Sequence, residues 1–462
     1  MADRLSPLDA SFLYLEEQST PMHVGSMQIY ADTPDGMEYD RLCRLITERI
    51  TAVPRYRQKI RWIPGRLASP VWIDDPDFDV SYHVRRSALP SPGSDAQLRE
   101  LVARVQSRHL DRSRPLWEIY IVEGLSGGRF AMISKTHHAM VDGLAAVDIL
   151  SVVLDASPEP RDMPVEEWQP RPEPSALDLV GGAVRDYIRR PTGMVDVARS
   201  QVADLRSVPA KAARSALGLA DMARTVLRPA QDSPLNADVR EQRRFGTADT
   251  ELDDYKRIRK ANGGTINDAV LATVAGALRQ FMLTRGEPVG PRTVIRAMVP
   301  VSVKDARTGA PGNHVSDFFV DLPIGEENPV VRLHQISYAM NAHKESGQSV
   351  GAEALVALGG FAPPTLFALG ARVASGLSRR LFNTVVTNVP GPQFPLYAAG
   401  AQMLQAYPVV PLAKGQAVSI GLVSYNGGVY YGLLADRDAM PDVDVLGGLL
   451  EESLAELVRT VR

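Results

Sequence analysis

One cysteine stands in 462 residues. With only Cys43 available, a disulfide scaffold, a cysteine-ligated zinc site and a CxxC redox pair are all excluded. The scarcity accords with a reducing cytoplasm. Net charge is also nearly absent: 51 Lys and Arg face 54 Asp and Glu, a formal −3. No overall basic field therefore recruits nucleic acid. Long apolar runs are missing too. The uncharged, mostly apolar run Ala354 to Ala371 has 18 residues and just meets the lower limit for a spanning helix. Gly359-Gly360 and Pro363-Pro364 break its centre, so the expectation is two short apolar helices meeting at a bend. The first twenty residues lack a basic stretch followed by an apolar one, and no secretory signal is expected.

What is present is ordinary for a folded protein: 45% hydrophobic and 23% charged residues. The chain is long enough for a large core in two or three domains. Its first half alternates helical and strand-like segments. Tyr39 to Val53 has helical spacing of Leu42, Leu45, Ile46 and Ile50, with Cys43 as a small core residue of that helix. Gln97 to Leu110 reads as another helix. Glu118 to Leu125 and Arg129 to Lys135 are apolar runs either side of Ser-Gly-Gly, a hairpin pattern, and Asp142 to Leu154 is again helical.

A break follows. Ser157 to Pro174 carries six prolines in 18 residues, which reads as an extended connection. Ser175 to Arg228 is Ala-, Val- and Leu-rich, with nine Lys/Arg against five Asp, a local net of +4. It reads either as a helical linker packed on the domains or as a basic amphipathic surface for anionic lipid. The second half restarts at Arg243. Helices are expected over Asp253 to Asn262, Ile266 to Thr284 and Leu446 to Val461, and strands over Thr293 to Val303 and Asn313 to Leu322. Ala417 to Tyr425 and Val429 to Ala435 flank Asn426-Gly427-Gly428, a strong hairpin signal. The expected domains are 1–156, a linker over 157–242, and 243–462.

One segment carries the chemistry: Lys135-Thr136-His137-His138-Ala139-Met140-Val141-Asp142-Gly143. It follows an apolar strand and precedes a helix, where a side chain is held rigidly yet faces a cleft. Three readings fit it. Asp142-Gly143 could shape a polar turn with the histidines satisfying backbone groups. His137, His138 and Asp142 could ligate a metal, although adjacent strand residues point to opposite faces and no HExxH accompanies them. One histidine could face the cleft as a general base.

HHAMVDG resembles the HHxxxDG motif of the CoA-dependent acyltransferase superfamily, which includes chloramphenicol acetyltransferase and peptide-synthetase condensation domains. LSPLDASFLYLE from Leu5, PMHVG from Pro21, WIDDPDFDVSYHV from Trp72 and PLWE from Pro115 are similar to blocks of bacterial wax ester synthase/diacylglycerol acyltransferases. So are TINDAVLA from Thr265, RAMVPVSVK from Arg296, TNVPGP from Thr387 and YNGGVYYGLLADRD from Tyr425.

The resemblance implies an α/β fold of two chloramphenicol-acetyltransferase-like domains, joined by a long partly helical linker, with a tunnel between them. It implies transfer of a long-chain acyl group from acyl-CoA to diacylglycerol, or to a long-chain fatty alcohol in the wax ester reaction. His138 is then the base that deprotonates the acceptor hydroxyl, in the setting of His137 and Asp142. Asp142 fixes the loop by pairing with an arginine, for which Arg296 is the candidate, and Gly143 permits the turn into the next helix. Asn267, Thr387 and Asn388 are candidate oxyanion donors or site-lining groups. Thr265 and Asp268 also spell a capping box, so Asn267 could belong to a cap alone. Pro115, Leu116 and Trp117 line an acceptor channel or pack a strand start. Lys304 and Arg307 are candidate contacts for CoA phosphates.

No covalent intermediate is required, because neither GxSxG nor a plausible cysteine nucleophile is present. No cofactor or metal is expected, acyl-CoA being a substrate. Expected partners are acyl-CoA, the lipid acceptor and a membrane or lipid-droplet surface on the cytoplasmic side. Two readings of other classes stay open: a condensation enzyme taking a carrier-protein thioester, and a lipid-binding protein without turnover.

Overall fold

The computed structural model describes residues 3–32, 39–50, 53–140, 153–162, 168–189, 229–303, 314–346 and 378–461. The expected helix over 142–154 lies almost wholly outside them, as do most of the linker and the run at 354–371. The strands, in chain order, are β1 (Asp3–Arg4), β2 (His23–Tyr30), β3 (Gln58–Arg61), β4 (Val71–Asp74), β5 (Val84–Ala88), β6 (Trp117–Glu123), β7 (Phe130–His137), β8 (Arg243–Glu251), β9 (Ile295–Val303), β10 (His314–Leu322), β11 (Thr384–Pro390), β12 (Tyr397–Ala398), β13 (Ala401–Val409), β14 (Val418–Tyr425) and β15 (Gly428–Asp436). They form a six-stranded sheet β12-β13-β2-β7-β6-β5, a second six-stranded sheet β10-β9-β11-β14-β15-β8, and a small sheet β1-β4-β3. Helices relevant here are α1 (Pro7–Leu15), α2 (Tyr39–Ile50), α3 (Asp95–Gln106), α4 (Ala176–Arg189), α5 (Leu252–Asn262), α6 (Ile266–Thr284), α7 (Pro329–Ser346) and α8 (Val443–Arg459).

Local sequence explains the elements nearest the site. Every residue of β7 is buried, as a central strand with its near-continuous apolar run requires. It pairs antiparallel with β6 across the Ser-Gly-Gly turn and with β2 on the other side. The β14–β15 hairpin turns at Asn426 (φ 45°) and Gly427 (φ 89°), the left-handed pair that an Asn-Gly turn supplies. α6 starts at the expected capping box: Asp268 N–H donates to Thr265 Oγ1 (3.2 Å), and Thr265 N–H donates to Asp268 Oδ2 (2.8 Å). It is apolar on nearly every side and runs through the core of the second sheet with α5, α7 and α8. Cys43 is half-buried on α2 against the first core, and burial pushes its thiol pKa up, as an inert packing residue requires.

One feature departs from a simple division into halves. β12 and β13 come from the C-terminal part of the chain, yet β13 pairs antiparallel with β2 in the first sheet, Val409 opposite Gly25 and Met403 opposite Tyr30. Pro408 of β13 then lies directly over the second sheet. Gly421 and Gly432 are register partners on β14 and β15. A Cβ on Gly432 would stand 2.0 Å from the Pro408 carbonyl oxygen, and one on Gly421 would stand 3.1 Å from Pro408 Cγ. Two glycines thus make the flat patch on which the crossing strand rests.

Candidate active site

β7 ends at His137, and His138 opens a single 3-10 turn, His138–Met140. His137 closes the strand and His138 opens the turn, and the two imidazoles face different neighbours, Glu16 and Phe12. His137 is fully buried and its Nδ1 accepts the Ala139 N–H at 3.0 Å, so a neutral ring carries its proton on Nε2. The backbone of His137 is fixed as well: its N–H donates to the Leu116 carbonyl at 2.9 Å.

His138 is held differently. Its N–H donates to the Met22 carbonyl at 2.8 Å, and its ring stacks on Phe12 of α1, centroids 3.9 Å apart with planes inclined by 22°. Its buried Nδ1 has no hydrogen-bond partner in another described residue. Burial pushes the pKa of this imidazole down to about 4; its own backbone opposes that and the His137 charge adds to it. At neutral pH the ring is therefore uncharged and keeps a lone pair, the state a proton acceptor needs.

The other expected site residues fall into three groups. Asn267, second residue of α6, and Asn388 of β11 are brought together: Asn388 Nδ2 donates to Asn267 Oδ1 at 3.2 Å. Thr387 precedes Asn388 on β11, opposite Gly421 of β14. Pro115, Leu116 and Trp117 are packed at the start of β6. Leu116 and Trp117 are fully buried, Trp117 Nε1 donates to the Tyr56 carbonyl at 2.7 Å, and His83 stacks on the indole at 4.5 Å. Their visible work is packing, together with the Leu116 bond that anchors His137. Arg296 on β9 forms a two-point pair with Asp321 of β10, 2.6 Å from Nε and 3.3 Å from Nη2. Asp142, Gly143, Lys304 and Arg307 lie outside the described residues, so the expected pairing of Asp142 with Arg296 is not on view.

Sequence reasoning missed the groups that surround the histidines from the N-terminal side: Phe12, Glu16, Met22, His23, His109 and Arg112. Four of them stand in or beside LSPLDASFLYLE and PMHVG, blocks read only for their resemblance.

Residues 5–270 match the family model of the wax ester synthase/diacylglycerol acyltransferase catalytic domain, and residues 311–458 match that of the WS/DGAT C-terminal domain. The chain belongs to this family. It is 36% identical over 471 residues to a probable diacylglycerol O-acyltransferase, tgs2, of Mycobacterium tuberculosis, covering 99% of each. It is 33% identical over 461 residues to tgs1 of the same organism, covering 99% of this chain and 96% of the relative. Among solved structures, the wax ester synthase/diacylglycerol acyltransferase from Marinobacter aquaeolei VT8 superposes with a TM-score of 0.70 at 27% identity over 99% of each chain. The starter condensation domain of rhizomide synthetase shares the fold alone, at 15% identity and a TM-score of 0.57 over 100% of this chain and 95% of that one. The expected fold class, two acyltransferase-like α/β halves, is that of this WS/DGAT acyltransferase family.

Proposed function

We propose that the chain transfers a long-chain acyl group from acyl-CoA to the free hydroxyl of diacylglycerol, with His138 as general base. What carries the reading is one observation: a neutral imidazole pressed against Phe12 at the end of a fully buried strand. In the proposed reaction the acceptor hydroxyl gives its proton to the ring of His138 as its oxygen attacks the thioester carbonyl carbon. The carbon–sulfur bond then breaks, and the proton on His138 passes to the departing CoA sulfur. Amide hydrogens of Asn267 and Asn388 are the proposed donors to the tetrahedral oxyanion. A tunnel between the two halves is the proposed route for both substrates.

Purified protein is expected to release CoA from palmitoyl-CoA when diacylglycerol is supplied. No release with either diacylglycerol or hexadecanol overturns the reading. A competition between these two acceptors for one labelled acyl-CoA separates triacylglycerol from wax ester synthesis, the same chemistry on two alcohols.

The lipid acceptor also calls for contact with a lipid surface. Among the described residues no helix is long and apolar enough to cross a membrane. α4 packs on the turn at Pro64–Arg66 through the small core that holds Leu179. There Leu177 and Leu67 stand 85% and 59% exposed, with the Arg61 and Arg171 side chains on the same elements' flanks. Arg61 is paired with Glu173 and Arg171 with Asp74, so the exposed leucines are what this face offers a lipid surface. Double replacement, Leu67→Asp with Leu177→Asp, is expected to weaken co-flotation with phosphatidylglycerol vesicles about tenfold or more, and equal flotation of both proteins refutes this face.

A further inference from the structure

Glu16 follows α1 and is buried although it is a carboxylate, its side chain 4% exposed. Arg112 binds it from the rim, Nε to Oε2 at 3.1 Å and through Nη2 as well. Three imidazoles surround it: His23 Nε2 lies 3.3 Å and His109 Nδ1 3.5 Å from Oε1, and His137 Nε2 lies 3.6 Å from Oε2. Burial alone would raise its pKa, but the three facing imidazoles outweigh that and hold the group well below the ordinary carboxylate range.

Glu16, His23 and His109 present ligand atoms within 4.8 Å of one another, a donor set that suits a divalent cation. Charge argues against that occupant. Arg112 already balances the carboxylate, and the buried Lys135 places a further positive charge near His23. A dication would enter a site, open at His109, whose one carboxylate is already paired with Arg112.

Three contacts of Glu16 lead instead to His138. The Met22 N–H donates to Glu16 Oε1 at 3.2 Å, and the carbonyl of the same Met22 accepts the His138 N–H at 2.8 Å. The Glu16 backbone N–H closes α1 on the Phe12 carbonyl at 3.1 Å, one turn from the ring that stacks on His138. His137 keeps its proton on the nitrogen facing Glu16, which leaves Nδ1 free to accept the Ala139 N–H just past His138. We infer that Glu16 is the positioning residue of His138, fixing its backbone on both sides and its ring face through Met22, His137 and Phe12.

This rests on His138 as base, so its test includes a readout independent of turnover. In Glu16→Gln, which keeps shape and loses charge, kcat is expected to fall about 10-fold, and in Glu16→Ala about 100-fold, with the KM for palmitoyl-CoA within twofold of the parent. Diethyl pyrocarbonate labelling read by peptide mass spectrometry should show His138 reacting several-fold faster in both variants, while the buried His83, just before β5, keeps its rate. If Glu16→Ala does not fold, Arg112→Gln, on a half-exposed side chain, should raise His138 labelling and lower kcat about threefold. Unchanged His138 labelling in the folded variants overturns the positioning role, as does one equivalent of zinc bound to the purified protein and lost in Glu16→Gln. Failure of His138 as base leaves the labelling result intact, so the two ideas fail separately.

Discussion

Replacement of His138 by alanine is expected to lower kcat by about 10²- to 10⁴-fold, the range that positioned general bases contribute. Retention of full activity would remove His138 from the reaction. The pH dependence of the parent enzyme sharpens the test. A free histidine titrates near 6.5, whereas burial against Phe12 holds His138 at about 4. The base is lost when it is protonated, so kcat/KM should fall as pH falls through about 4 and not through 6.5. Phe12→Ala opens the ring to water and should move this acid limb up toward 6.5. The sign for stability is opposite in origin but acts in the same window. Between about 6.5 and 4 the unfolded chain binds the proton that the folded chain refuses, so burial of the neutral ring destabilises as pH falls. Circular dichroism at each pH therefore accompanies the rates. An acid limb near 6.5 in fully folded parent enzyme contradicts the buried, neutral state of His138.

The second large effect is structural. Gly432→Ala places a methyl group 2.0 Å from the Pro408 carbonyl oxygen and 3.1 Å from Phe245 Cζ. The first neighbour is backbone of a paired strand and cannot rotate away. Overpacking costs about 1–3 kcal/mol where side chains can adjust, and about 3 kcal/mol or more is expected here. Calorimetry should show a lower Tm and turnover should fall with it, because the two sheets are wedged apart. Gly448→Ala is the matched control. It lies exposed on α8 with nothing within 4 Å of an added Cβ, so it should stabilise by about 0.5–1 kcal/mol through helix propensity. Equal melting of the Gly432→Ala variant and the parent would show that the crossing strand yields at this contact.

Much of this was legible in the residues themselves. The β6–β7 and β14–β15 hairpins follow from apolar runs around Ser-Gly-Gly and Asn-Gly, and the α6 start from Thr265 and Asp268, because each is decided within a few neighbours. The placement of His138 at a strand end was legible for the same reason: strand, motif and turn are contiguous. The pairing of β13 with β2 was not, since strand partners far apart in sequence leave no local mark. Glu16 was missed on different grounds. A glutamate in a polar stretch, Glu16-Glu17-Gln18, reads as solvated, and only the tertiary fold shows that Arg112 and three histidines close over one of the two. Trp117 shows the converse. PLW reads as a channel wall or a packed strand start, and its bond to Tyr56 and its stack on His83 are those of a core.

The strand exchange has a consequence during synthesis. Residues 31–400, 370 of them, separate the end of β2 from the start of β13. At ribosomal rates of roughly 5–20 residues per second, β2 waits on the order of 20 to 75 s for its outer partner. Throughout that interval a strand with largely buried side chains presents an open edge, the kind of template on which unrelated chains pair. The nascent N-terminal half is thus the aggregation-sensitive species of this protein, and the crossing strand that completes the first sheet is also the step that ends its exposure.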